Sequence, residues 1–374
     1  MEIIQYRLDT QSGAPTEQNL SPDLVLAFGN RQLLEDASHY NQLRENHPSA
    51  HLVMCSTAGE IIDETVLDDS IVVTGLKFDR TKIQVIHLEK APELSSREAG
   101  AKIAEVLMQT DGLAGIVVLA DGQEVNGSEF AAGLSAKVPD HIPVSGGLAG
   151  DGDAFTKTLI GLNQAPRSGQ LVGIGFYGNS IKIGHGSKGG WDPFGPERII
   201  TKSVNNVLFE LDGQNALDIN KRYLGEEAKF LPGAALRFPL SIRTESNSEP
   251  LVRTILSIDE EAKTMTFAGD LPEGSRARFM KANFDRLVDG AIGAADQSLT
   301  IDDAPEFALL ISCVGRKLVL GQRVEEEVEG VKDILGKTTR ISGFYSYGEI
   351  SPLISTGKCG LHNQTMTITT LKEV

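Results

Sequence analysis

The sequence predicts an α/β to α+β protein with mixed sheets and flanking helices, internally repeated strand–helix–strand units and two intertwined halves. One order (strand, helix, strand, small-residue loop with a carboxylate, strand) occurs three times, and a recurring order indicates internal duplication. Between the second and third occurrences, short runs separated by turn residues are typical of β-strands. At 374 residues the chain is long for one core, so two or three packed units are expected.

The first unit opens with the buried-strand run DLVLAFG, followed by the predicted helix NRQLLEDASHYNQLRENHP, which Pro48 closes. Next comes the strand HLVMC, which leads into the loop STAGEI. Ser95 and Glu98 then have the spacing of a capping box, which predicts a further helix. Strands of this unit are predicted at 23–29, 51–55, 70–78 and 82–89.

The second unit repeats this order with the strand AGIVVLADG, the helix GSEFAAGLSAKV and the strand and loop IPVSGGLAGDG. In the third unit the strand FALLISCVG precedes one long helix over 317–335, the segment RISGFYSYGEI and the closing strand TMTITTL. The β-rich region between them contains one predicted helix, NALDINKRYLG. Glycines and prolines in GGWDPFGPE predict a boundary near 190–200.

The charge and cysteine content limit the possible functions. The formal charge is −16, with 35 basic and 51 acidic residues, whereas nucleic-acid grooves and anionic membrane surfaces require clustered Lys and Arg. No nucleic-acid or membrane partner is therefore expected. Three widely spaced cysteines do not form a disulfide framework. Without a visible secretory signal or a membrane-length apolar run, the expectation is a cytoplasmic protein with reduced thiols.

Carboxylates in the three repeated loops are the first candidates for a binding site. Glu60, Asp151 and Glu349 each follow a strand end, where α/β proteins usually place their sites. Their oxygens could accept hydrogen bonds from a small ligand. Equally, each could brace its own loop by accepting from backbone N–H groups. The repeat predicts that the three loops lie at corresponding strand ends.

Cysteines and histidines offer a second set of candidates. Cys55 and Cys313 occupy similar strand ends, where a buried structural thiol is the simpler interpretation and a nucleophile the alternative. His185 lies in a glycine-rich run, and His362 follows Cys359 closely. Either histidine could ligate a metal such as haem iron, or act as a structural hydrogen-bonding residue. Because no familiar catalytic signature is present, the chain is not expected to be an enzyme.

Six segments, in order, resemble the FIST-domain family of bacterial sensory proteins over about 23–373. They are CSTAGEI at 55–61, GGLAGD at 146–151, NVLFELDGQNALDI at 206–219, SCVGR at 312–316, GFYSYGEI at 343–350 and HNQTMT at 362–367. One departure is Asn215, where the family often has Pro at the first turn of a helix. The resemblance implies a FIST-N half at 20–195 and a FIST-C half at 196–374.

The resemblance also implies a cytoplasmic small-molecule sensor with no catalytic residues. Similarity to stand-alone family members of about this length implies that the chain binds haem b and senses nitric oxide. His185 or His362 would then be the axial ligand. An amino acid or other small metabolite is the alternative ligand. The output would pass to a partner histidine kinase in a two-component system or to a cyclic-di-nucleotide enzyme, and a homodimer is possible. The candidate ligand-binding residues in the matched segments are Cys55, Ser56, Thr57, Glu60, Asp151, Tyr345, Tyr347, Glu349 and Asn363.

Overall fold

Three mixed sheets with flanking helices repeat one strand order in the computed structural model, which describes residues 1–8, 20–231, 233–244, 247–299, 304–352 and 357–374. The first unit comprises, in its described residues, β1 (Glu2–Arg7), β2 (Leu24–Gly29), α1 (Arg31–Glu35), α2 (Ala37–Asn46), β3 (His51–Ser56), β4 (Glu60–Ile62), β5 (Thr65–Leu67) and β6 (Ile71–Lys77). The second comprises β7 (Lys82–Glu89), α3 (Ser96–Leu107), β8 (Leu113–Ala120), α4 (Gly127–Ser135), β9 (Val144–Leu148), β10 (Ile160–Leu162) and β11 (Gln170–Tyr177).

The third unit begins with β12 (Ile181–Lys188) and resumes after an inserted region. The insertion comprises β13 (Trp191–Pro193), β14 (Arg198–Val204), β15 (Val207–Leu211), β16 (Gln214–Asn215), α5 (Ala216–Leu224), β17 (Leu240–Thr244), β18 (Asn247–Arg253), β19 (Ile255–Asp259), β20 (Thr264–Phe267) and β21 (Arg276–Ala282). The unit then continues with α6 (Phe284–Ser298), β22 (Phe307–Cys313), α7 (Val314–Leu320), α8 (Val324–Leu335), β23 (Arg340–Ser346), β24 (Gly348–Pro352), β25 (Cys359–His362) and β26 (Met366–Glu373).

Each unit places one buried strand at the centre of its sheet. The central strand β2 runs parallel to β3 and antiparallel to β6. The same relation holds for β8 with β9 and β11, and for β22 with β23 and β26. Because both faces of these strands are covered, their sequences are almost continuously apolar rather than alternating.

The three sheets share one inner core. Side chains from the central strands of all three units form a single buried cluster, among them Leu26, Phe28, Leu119, Leu309 and Ile311. A second cluster packs the helices α3, α4, α6 and α8 against the outer faces of the second and third sheets. The sheets therefore surround an apolar axis, with helices outside them.

Each unit also completes the sheet of another unit. The hairpin β4–β5 of the first unit pairs with β23 of the third. The hairpin β24–β25 of the third unit pairs with β9 of the second. The cycle closes where β10 of the second unit pairs with β3 of the first. Glu60 and Glu349 lie at the start of the transferred strands β4 and β24, and the loop that contains Asp151 precedes β10.

The inserted strands form a nine-stranded sheet with its own core. Inward side chains such as Leu240, Phe267 and Phe279 pack there with Leu217 of α5. Asn215 caps α5 by accepting a hydrogen bond from the backbone N–H of Asp218. Asn therefore replaces the expected first-turn Pro without losing the helix start.

Three helices differ from the sequence predictions. The first predicted helix is two helices, because Asp36 leaves the helical conformation and caps α2 through the N–H of Ser38. The long helix predicted in the third unit is also divided, at Gly321, where φ is +56°. Helix α6 was not predicted from the sequence. The capping box of α3 is confirmed, with reciprocal bonds between Ser95 and Glu98. The assignment of α3 and of the strand at 82–89 to the first unit is wrong, because β7 pairs with β11 in the sheet of the second unit.

In the described part of the chain, no helix is both long enough and apolar enough to cross a membrane.

Candidate functional site

The three carboxylate-bearing loops meet at one end of the inner core. The N–H of Ala58 donates to the carbonyl of Tyr345 at 2.8 Å, which joins the first and third loops. The N–H of Gly150 donates to Ser56 at 2.9 Å, and the N–H of Tyr347 donates to Leu148 at 3.2 Å. All three pairs of loops are therefore joined by backbone hydrogen bonds. The prediction that the loops lie at corresponding strand ends is confirmed.

Glu60 and Glu349 have matching surroundings. Glu60 accepts hydrogen bonds from Thr57, three residues earlier, at 2.6 Å and from Ser70 at 2.7 Å. Glu349 accepts from Ser346, also three residues earlier, at 2.7 Å and from the hydroxyl of Thr365 at 3.0 Å. Both carboxyls are almost completely buried. In this structure they brace their own loops.

Burial also changes the protonation of both groups. It raises the pKa of Glu60 to about 7 and that of Glu349 to about 8, although the hydroxyl donors oppose the shift. Removal from water disfavours the charged carboxylate, and these hydrogen bonds offset only part of that cost. At neutral pH Glu349 is therefore mostly protonated and Glu60 is about half protonated, whereas an ordinary glutamate would be ionised.

Asp151 has a different environment. The hydroxyl of Tyr347 donates to its carboxylate, as do the N–H groups of Thr156 and Lys157. Burial alone would raise the pKa of Asp151, but these donors leave the pKa lowered. The guanidinium Nε of Arg31 lies 3.7 Å from the carboxylate. Asp151 is therefore an ionised anchor for the loop that follows it.

A buried ion pair lies behind Tyr345. The hydroxyl of Tyr345 donates to Glu327 at 2.8 Å, and Arg316 bonds the other carboxylate oxygen at 2.7 Å. Both side chains of the pair are fully buried. Arg316 also donates to the backbone carbonyls of Gly189 and Leu287. The pair thus joins the third loop to the segment that enters the inserted sheet.

A cleft of about 480 Å³ opens beside the loops, within the usual range for small-molecule sites. We call it the Tyr347 cleft. One wall comes from the second unit and Tyr347, and the other from the inserted sheet. Its lining residues are Gly122, Gln123, Val125, Asn126, Gly127, Leu148, Phe155, Asn206, Leu256, Ser257, Thr266, Phe267, Ala268, Gly269 and Tyr347.

Two stacked aromatic rings line the Tyr347 cleft. The rings of Phe155 and Tyr347 lie 4.5 Å apart at 18°. Phe155 has φ of +52°, a conformation uncommon for a bulky residue. The hydroxyl of Tyr347 accepts from the N–H of Phe155 at 3.1 Å and so holds this backbone in place. Phe155 nevertheless remains 37% exposed. Leu256, on the other wall of the cleft, is 41% exposed.

The predicted residues are only partly brought together. Ser56, Thr57, Glu60, Asp151, Tyr345, Tyr347 and Glu349 lie at the junction of the loops, but only Tyr347 lines the cleft. The hydroxyl of Ser56 accepts from the N–H of Leu159 and is structural. Asn363 is fully buried, and among the described residues its amide atoms have no hydrogen-bond partner.

Neither candidate histidine lines the Tyr347 cleft. His185 is on β12, whose Gly184 and Gly186 face α6, so His185 points to the other side of the strand. His362 lies close to the carbonyl of Ser351, at 3.3 Å from Nε2. Burial lowers the pKa of both, that of His362 to about 4 with a further contribution from Arg253. Both imidazoles are therefore neutral at pH 7.

The thiols of Cys55 and Cys313 are buried, with 0% and 2% exposure. Burial raises the pKa of both, and nearby Asp121 and Glu349 respectively add to the effect. A catalytic thiol requires the opposite shift. The structural interpretation therefore fits both residues. Within the described residues, no group of three or more His, Cys, Asp or Glu side chains could hold a metal ion.

Most of the residues that line the Tyr347 cleft were not predicted from the sequence. Gln123 and Asn126 follow β8 in a turn that opens α4, and this strand-to-helix turn was the available signal. Phe155 follows the GGLAGD segment directly. No pattern in one dimension indicates that β19 and β20 of the insertion would supply the facing wall.

Comparisons with known proteins agree with the repeated segments. The FIST N domain family matches residues 23–214, and the FIST C domain family matches 216–352. An uncharacterized protein of Methanocaldococcus jannaschii is 22% identical over 324 residues, which cover 78% of this chain. The match spans about 60% of that relative's length.

Two solved structures show weak likeness. A chorismatase has a TM-score of 0.36 at 11% identity, covering 99% of this chain and 98% of its own. A cyanuric acid hydrolase from A. caulinodans has a TM-score of 0.19 at 10% identity, covering 78% of this chain and 99% of its own. Because both TM-scores are below 0.5, neither likeness supports an inference about activity. The FIST N match alone spans just over half of the chain, and the FIST C match follows it in order; the protein belongs to the FIST family of sensory domains that bind small ligands.

Proposed function

We propose that the protein is a cytoplasmic sensor that binds a small, largely uncharged metabolite in the Tyr347 cleft. The cleft itself carries this proposal, because it combines a stacked aromatic pair with amide and hydroxyl side chains. None of the described residues that line it is charged. A ligand with a planar or apolar part and a few hydrogen-bonding groups matches this lining. An uncharged amide or hydroxylated metabolite fits it better than a free dicarboxylate.

The position of the cleft suggests how binding would be transmitted. Its two walls belong to the repeated units and to the inserted sheet, which are joined nearby through Asn126 and Asp270. A ligand that contacts both walls favours one relative arrangement of them, and so shifts the population of conformations. The proposed recipient is a partner histidine kinase or cyclic-di-nucleotide enzyme, on the family resemblance alone.

Truncation of Phe155 is expected to weaken ligand binding about tenfold or more. A metabolite found by thermal-shift screening would lose an aromatic contact worth about 1.5–3 kcal/mol in Phe155→Ala. Tyr347→Phe keeps the ring but releases the loop, so a smaller loss is expected. Isothermal titration calorimetry measures both. Phe230→Ala is the matched control, because Phe230 is 67% exposed and does not line the cleft. Equal affinity in all four proteins would contradict the proposal.

Haem with nitric oxide is the second candidate, on the family resemblance; the imidazoles of His185 and His362 are neutral, which is the state that can ligate iron. Haem b would supply an iron centre for diatomic ligands when bound. The residues as placed do not fit it, because neither histidine lines the Tyr347 cleft. Haem therefore has no part in the conformational response proposed above.

A titration with stoichiometric haem tests this second candidate. We expect the same weak absorption change in the wild type and in a variant carrying His185→Ala and His362→Ala. Absorption spectra, with and without nitric oxide, are the measurement. A sharp Soret band that shifts with nitric oxide and is lost in one histidine variant would instead support haem.

A further inference from the structure

A second cleft, of about 360 Å³, lies on a different part of the inserted sheet from the Tyr347 cleft. We call it the arginine cleft. Strands β17 and β21 form its base, and the turn before β13 forms one side. Its lining residues are Gly189, Gly190, Trp191, Pro193, Glu197, Ser241, Arg243, Pro250, Val252, Arg276, Arg278 and Met280.

Three exposed arginines share one face of this sheet. Arg243 and Arg276 are direct cross-strand partners, and Arg278 lies two residues further along β21, opposite Ser241. Residues two apart on a strand point to the same face. Directly opposed like charges destabilise a sheet. The arrangement therefore has an electrostatic cost in the absence of an anion.

One carboxylate offsets part of this charge. Arg276 forms an ion pair with Glu197 at 2.9 Å, and Arg278 donates to the carbonyl of Gly195 at 2.8 Å. Among the described side chains, Arg243 and Arg278 have no carboxylate within ion-pair distance. Of the described residues that line the cleft, the charged ones are three arginines and one glutamate, so this described lining has a charge of +2 in a chain of net charge −16.

The side wall of the arginine cleft is fixed by the body of the protein. Trp191 is 7% exposed, and its indole N–H donates to the carbonyl of Gln364 at 3.0 Å. Arg316 of the buried ion pair donates to the carbonyl of Gly189 at 2.9 Å. A wall that is already fixed beside the exposed guanidinium groups reduces the ordering needed when a ligand binds.

We propose that the arginine cleft binds a small organic anion with two carboxylates or a phosphate group. Guanidinium groups bond both chemistries in a bidentate manner. The volume accommodates a metabolite rather than a polymer. The site is separate from the Tyr347 cleft, since the two share no lining residue. The protein would then respond to two chemically different ligands.

Calorimetric titration at low ionic strength tests this proposal with succinate, citrate and inorganic phosphate as probes. We expect at least one probe to bind the wild type, with about tenfold weaker binding in Arg243→Gln or Arg278→Gln. Binding should be lost in the double variant and reduced in high salt. The probe that binds most tightly shows whether the site prefers carboxylates or phosphate.

Two matched variants complete the experiment. Arg222→Gln makes the same change in charge on α5, outside the cleft, and is expected to leave binding unchanged. Phe155→Ala alters only the Tyr347 cleft and should also leave it unchanged, which separates the two proposals. Circular dichroism confirms folding, and relief of repulsion should keep the Tm of the double variant at or above the wild-type value. Absence of binding by all three probes, or equal binding in the double variant, would overturn the proposal.

Discussion

Replacement of Arg316 by alanine is expected to cost about 3–5 kcal/mol of the free energy of unfolding. The change leaves the carboxylate of Glu327 buried without its cation, since both side chains are fully buried. It also removes donors from the carbonyls of Gly189 and Leu287. Urea denaturation followed by circular dichroism measures the loss.

A double variant and a surface control show whether the buried charge is the cause. Arg316→Met combined with Glu327→Gln removes both charges and keeps an acceptor for Tyr345, so part of the stability should return. Arg323→Ala breaks surface ion pairs with Glu326 and Asp285, and its effect should be far smaller. A loss in Arg316→Ala no larger than that in Arg323→Ala would contradict this interpretation.

The second large effect is a pH dependence that originates at Glu349. Its pKa is raised from an ordinary value of 4.5 to about 8 in the folded protein, chiefly by burial. Between these values the folded state holds a proton that the unfolded state has released. Stability therefore falls as the pH rises from about 4.5 to about 8 and is level above that range. At about 1.4 kcal/mol per pKa unit, the total is a few kcal/mol.

Glu349→Gln is expected to flatten this slope, because an amide imitates the protonated carboxyl and cannot ionise. The variant should be as stable as the wild type near pH 5 and more stable near pH 8. Thermal denaturation across this range measures the difference. Glu60→Gln is the matched comparison, and its effect should be smaller, since the pKa of Glu60 is raised only to about 7. Parallel pH profiles for Glu349→Gln and the wild type would contradict the assignment.

The repeat could be recognised in the sequence because the units share the same kinds of residue at corresponding positions. Buried runs such as 23–29 and 307–313 have few polar residues, which is typical of strands covered on both faces. The hydroxyl three residues before Glu60, and that before Glu349, also mark these loops as self-braced. The sequence thus predicted the fold class and the placement of the three loops at corresponding strand ends.

The cleft and the helix breaks could not be predicted in the same way. The Tyr347 cleft joins Phe155 to Leu256, which are a hundred residues apart, and only packing brings them together. The break at Asp36 depends on competition between helix continuation and a side-chain cap. The full burial of Arg316 and the partial burial of His362 likewise follow from tertiary contacts rather than from local pattern.

The circular exchange of strands among the three units has a consequence for how the chain can be divided. A fragment that ends after the FIST N match would contain β4, β5 and β9 without β23 or β24, their neighbours in the intact sheets. Exposed strand edges of this kind invite pairing with other chains. Each unit is thus both donor and acceptor in a closed ring of β-augmentation. The ring, rather than either matched half, is the smallest piece of the molecule whose sheets are complete.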